Sequence, residues 1–151
     1  ARYGLAPYRQ KRLSYLRRHR GGGSPEALMR LLQSLEQLSP DAPARYAAMT
    51  RPDLTRDAVA LEQFAVYYLF RWWRKASCNG YLYRQAAALT AAVLAVSALT
   101  PACGTVVEAA RFFSKEVEHS EENRAAFLRA MDGADFTVEA LLTQLEVSHA
   151  I

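Results

Sequence analysis

The stretch RQAAALTAAVLAVSALTPACGTVVEAAR, residues Arg84 to Arg111, carries no charge from Gln85 to Val107. Whether it crosses a membrane or fills the core of a soluble bundle decides the fold. Ala86 to Val107 is 22 residues, about 33 Å as a helix, and a bilayer's hydrocarbon core is about 30 Å thick. Length therefore permits a span. Eight of the 22 are alanines and only seven are Leu or Val, so insertion of this segment alone is marginal. Pro101 supports the rival reading, because it removes an amide donor and Thr100-Pro101 suits a helix start. Membrane helices nevertheless tolerate proline where Ser and Thr hydroxyls, here Ser97 and Thr100, satisfy the freed carbonyl.

Two patterns favour the membrane. On a helical wheel Ala87, Ala91, Ala95, Ala98 and Ala102 form a small-residue face suited to close packing against another membrane helix. Leu89, Val93, Val96, Thr100, Cys103 and Val107 lie opposite, where lipid would be. The flanks differ in sign: Arg71, Arg74, Lys75 and Arg84 precede the stretch, and Glu108, Glu116, Glu118, Glu121 and Glu122 follow it. Up to Gln85 there are 15 Lys+Arg and 6 Asp+Glu, and after it 4 and 9. The positive-inside rule then places the amino-terminal half on the cytoplasmic or matrix side and the acidic tail across the membrane.

The remaining chain reads as helix. Ala, Leu, Arg and Glu dominate, and Gly and Pro sit at breaks. The expected fold is all-α: several amphipathic helices with one transmembrane helix at about Ala86–Val107, kinked at Pro101. Four regions follow: a basic extension with a Gly-rich joint (1–23), a helical region (24–85), the span (86–107) and an acidic helical tail (108–151). Ser24-Pro25-Glu26 suits a helix start, and Leu28, Leu31, Leu35 and Leu38 make a stripe that needs covering by core or partner. A longer helix is expected from about Asp53 to Lys75, followed by a turn at Cys78-Asn79-Gly80. Ser120 should cap a helix ending near Asp132-Gly133, and Asp135 or Thr137 the last one.

No catalytic, metal or nucleotide motif is legible. Cys78 and Cys103 form no C-x-x-C pair, and His19, His119 and His149 are scattered, so no metal, cofactor or enzymatic activity is expected. Two clusters suggest binding. Arg71, Trp72, Trp73, Arg74 and Lys75 combine aromatics with cations and suit the headgroup zone of a bilayer rich in an anionic lipid such as cardiolipin. Arg9, Lys11, Arg12, Arg17, Arg18 and Arg20 crowd an acid-free amino terminus and suit a polyanion or an acidic partner. The same Arg-rich character is found in mitochondrial transit segments.

The expected role is a non-catalytic accessory subunit of a mitochondrial inner-membrane complex, such as a respiratory complex or ATP synthase, contacting other subunits and anionic lipid. A thylakoid complex is a variant. The alternative is a soluble all-α RNA-associated protein of the matrix, such as a ribosome component, with Tyr3, Tyr8 and Tyr15 stacking on bases. A soluble adaptor using the Leu28 to Leu38 stripe is a third class.

Overall fold

In the computed structural model, which describes residues 25–79 and 82–149, the chain is all helical and the described residues contain no strand. Seven α-helices follow in order: α1 (Pro25–Ser34), α2 (Ala42–Ala47), α3 (Ala58–Asn79), α4 (Leu82–Cys103), α5 (Val106–Phe113), α6 (Glu121–Ala130) and α7 (Val138–His149). A π-helical turn, Ser114–Glu118, continues α5, and a 3-10 turn, Ala134–Phe136, precedes α7.

Among the described residues, α4 is the one helix long and apolar enough to cross a membrane. It is also the helix around which the rest is built, because every other α-helix packs on it. Ala88, Ala91, Ala92, Leu94, Ala95, Val96 and Leu99 are fully buried. Alanine has no rotamers to freeze and lets neighbouring backbones approach, and Leu94, Val96 and Leu99 each contribute about 1.5–3 kcal/mol by leaving water. Ala87, Ala91, Ala95 and Ala98 thus pack inside the chain's own bundle, with Ala102 half-buried. On the wheel face expected to meet lipid, Val96 and Thr100 are buried, Leu89, Val93 and Cys103 are half-buried, and Val107, beyond the end of the helix, is exposed.

The apolar helix also stops earlier than its lack of charge implies. It ends at Cys103, where Gly104 takes φ +89° and donates its N–H to the Thr100 carbonyl at 2.8 Å. Glycine suits that left-handed cap. Thr105 then caps α5, its hydroxyl accepting from the Glu108 N–H at 3.2 Å. A reversal can be written with uncharged residues, so charge alone did not mark it. Pro101 stays within the last turn of α4.

Polar contacts tie α4 to the loop before α3. The Ser97 hydroxyl accepts from the Asp53 N–H at 2.9 Å and donates to the Asp53 carbonyl at 3.0 Å, and the Thr50 N–H reaches the Ala98 carbonyl at 3.1 Å. The Asp53 carboxylate accepts from the Thr55 hydroxyl and the Thr55 and Arg56 amides, which holds it below the usual carboxylate range. These bonds build a turn ending at Asp57, whose φ is +56°. That turn delays α3 to Ala58, five residues after the expected start.

Of the leucine stripe, Leu28 and Leu35 are buried together with Leu32, Leu31 is half-buried, and Leu38 is exposed, the last turn of the stripe lying beyond the end of α1. Its buried leucines are therefore not free to meet a partner helix. Asn123 fastens the following loop. Its amide oxygen accepts from the Glu36 N–H at 2.9 Å, and its nitrogen donates to the Glu36 and Glu116 carbonyls at 2.6 and 2.7 Å. Replacing Asn123, 3% exposed, with alanine leaves these backbone groups without partners. The expected cost is about 2–3 kcal/mol, measured by thermal or urea melting.

Candidate docking surface

Helix α3 faces two ways. Leu61, Phe64, Tyr68 and Trp72, spaced three or four apart, are buried. On the other side Val66, Leu69, Phe70 and Trp73 recur at the same spacing and stand in solvent, with Val59 a further two turns back. Phe70 is 78% exposed and Trp73 45%. Single exposed apolar side chains are ordinary, but a contiguous row on one helix is a candidate binding surface.

The inner face fixes the orientation of the outer one. The Trp72 indole N–H donates to Glu118 Oε2 at 2.9 Å, and Arg71 Nε pairs with the same oxygen at 3.2 Å. The Arg124 guanidinium lies 3.9 Å from the centre of the Trp72 ring and that of Arg71 5.2 Å, both within cation–π range. The Arg71 Nη1 also donates to the Tyr67 hydroxyl at 2.5 Å. Burial foremost, with the Glu118 charge adding, pushes the Tyr68 phenol up. These contacts leave α3 little freedom to roll, so its apolar row stays outward.

Of the residues expected to anchor in lipid, the structure separates the two tryptophans. Trp72 is 7% exposed and committed to the core, and Trp73 points outward with Phe70. Trp72 falls four residues after Tyr68 on the buried stripe, whereas Trp73 falls three after Phe70 on the exposed one. Arg71 serves Glu118. Arg74 and Lys75 follow on α3 with side chains that are not described, and Arg9, Lys11, Arg12, Arg17, Arg18 and Arg20 lie outside the described residues. Glu116 and Glu118, part of the acidic flank that follows the apolar stretch in sequence, are 1% and 6% exposed. Nothing in their spacing signals it, because the π-helical turn that carries them shifts the register.

The basic and acidic halves meet in this fold. Arg71 pairs with Glu118, and Arg84 pairs with Asp132, its Nε donating to Oδ1 at 3.0 Å. The expected separation by a membrane's thickness would pull both pairs apart. Among the described residues no group of three His, Cys, Asp or Glu side chains is placed to hold a metal. Cys103 is a free thiol whose sulfur meets Arg45 Nη1 at 3.2 Å.

The architecture defines the class: an α-helical bundle wrapped on one apolar helix, with an apolar row left on its surface. The sequence matches no protein-family model and no curated protein, and no solved structure matches the chain.

Proposed function

We propose that this chain is a non-catalytic accessory subunit of a membrane-bound assembly, and that it rests on the membrane through the outer face of α3 while α4 stays in its core. The observation that carries the reading is the exposed row Val66, Leu69, Phe70 and Trp73 on a helix whose sequence also carries the cations of Arg71-Trp72-Trp73-Arg74-Lys75. An apolar face beside cations is the pattern of a helix lying in the headgroup plane. Each Lys or Arg near an anionic surface adds about 1 kcal/mol, which suits a lipid of the cardiolipin type. The first 24 residues add seven Lys+Arg and no acid, whereas residues 25–151 hold 12 against 15. That Arg-rich segment supports the mitochondrial inner membrane, matrix side, as the host surface, with a respiratory complex or ATP synthase as the assembly.

Flotation with cardiolipin-containing vesicles tests the surface. The full chain is expected to float with them and not with neutral vesicles, and Phe70→Ser with Trp73→Ser to lose binding by about tenfold or more. A second reading, in which α4 crosses the bilayer, is favoured by the length and apolarity of Leu82–Cys103. Alkaline carbonate separates the two: release of the native protein from membranes supports surface attachment, and retention overturns it. Failure to bind any vesicle, with RNA binding instead, would favour the matrix RNA-associated reading.

A further inference from the structure

A groove of about 390 Å³ lies between the first half of α3 and α5. Ala60, Phe64, Val106 and Ala110 line it with hydrocarbon, Val107 and Tyr67 stand at its walls, and its polar edge is made by Gln63, Arg111, Ser114 and His119. All four edge side chains can donate a hydrogen bond, and no carboxylate is among the lining residues. The π-helical turn makes this edge. Its i to i+5 bonding, seen in the His119 N–H donating to the Ser114 carbonyl at 3.0 Å, makes residues five apart neighbours and sets both on the groove.

We propose that this groove binds a single-chain alkyl carboxylate, a ligand of the fatty-acid class, with its chain on the Phe64 and Val106 floor and its carboxylate at Arg111, Ser114 and His119. A sugar or nucleotide would lose hydrogen bonds on entering, because the floor offers it no partner. A linear hydrocarbon loses none. The cation and neutral donors at the edge select an anionic head over a cationic one. Arg111 Nη1 contacts Glu108 at 2.7 Å, and a guanidinium has five N–H donors, so it can hold that carboxylate and a second acceptor together. The site is separate from the outer row of α3, and failure of vesicle binding would leave it standing.

Calorimetric titration of the intact protein with sodium dodecanoate, kept below its micellar concentration, tests the proposal. One saturable site is expected, with dodecyltrimethylammonium binding at least about tenfold more weakly. Ala110→Trp, which fills the groove, and Val107→Asp, which sets an acid at its wall, should each weaken dodecanoate by about tenfold or more. Phe70→Ser should leave it unchanged. Val107 is 56% exposed, so its variant remains decisive if Ala110→Trp does not fold. Equal binding of the cationic amphipath, undiminished binding by Val107→Asp, or loss with Phe70→Ser would overturn the site.

Discussion

Val96→Arg is expected to prevent folding altogether, while Val93→Arg, one turn earlier on the same helix, gives a destabilised but folded protein. Val96 is 0% exposed on the helix that every other helix touches. A guanidinium placed there without a partner costs several kcal/mol, and its extra volume costs about 1–3 kcal/mol more. A domain of this kind has about 5–15 kcal/mol of stability in total. Val93 is half-buried, so an arginine can lay its stem along the surface and keep its charge in water. Soluble yield and circular dichroism melting of the two variants measure the contrast. Were α4 a membrane span, both would lie near mid-bilayer, and each would lose about 2.5–3.5 kcal/mol of insertion energy. Equal behaviour of the two variants would therefore count against a core helix.

The second large effect separates the adjacent tryptophans. Trp72→Ala is expected to cost about 3–5 kcal/mol, because it empties a buried ring site and leaves Glu118 without its indole donor. Trp73→Ala should change stability by about 0.5 kcal/mol or less, as surface substitutions do. For a protein of this length the first corresponds to a fall in Tm of roughly 10 °C or more. The chain has two tryptophans, so Trp73→Phe isolates Trp72 and Trp72→Phe isolates Trp73. Trp72 alone should emit to the blue and ignore brominated cardiolipin, whereas Trp73 alone should emit to the red in water and be quenched on vesicles. Quenching of both would return the whole Arg71 to Lys75 segment to the membrane. Quenching of neither would remove α3 from it.

The helix assignments were largely legible because local chemistry signals them. Ser120 caps α6 by accepting from the Asn123 N–H at 3.1 Å, Thr137 caps α7 by accepting from the Ala140 N–H at 3.2 Å, and α6 ends just before Asp132-Gly133. Start residues, spacing and breakers act within a few positions of each other. Of the turn expected at Cys78-Asn79-Gly80, Cys78 and Asn79 belong to α3, and Gly80 lies outside the described residues. The outward row of α3 was half legible: sequence marked the aromatic density around Trp72 and Trp73, and only the direction of the helix divided it into Trp72 within and Trp73 without. Asn123 and Glu118 carry no local signal. Their partners are Glu36, 87 residues away, and Trp72, 46 residues away.

By itself the sequence determined that this chain is helical, that one helix is apolar enough for either water-free environment, and that positive charge is concentrated at its amino-terminal end. Composition sets partition, and partition does not distinguish lipid from protein: a run of Ala, Leu and Val leaves water equally well for both. The tertiary structure decided which of the chain's own residues pack around α4. Six helices supply its neighbours, the Asp53 backbone satisfies Ser97, and Glu118 and Asp132 meet Arg71 and Arg84 from the opposite end of the charge gradient. Those contacts join residues distant in the chain, so no window of sequence contains them.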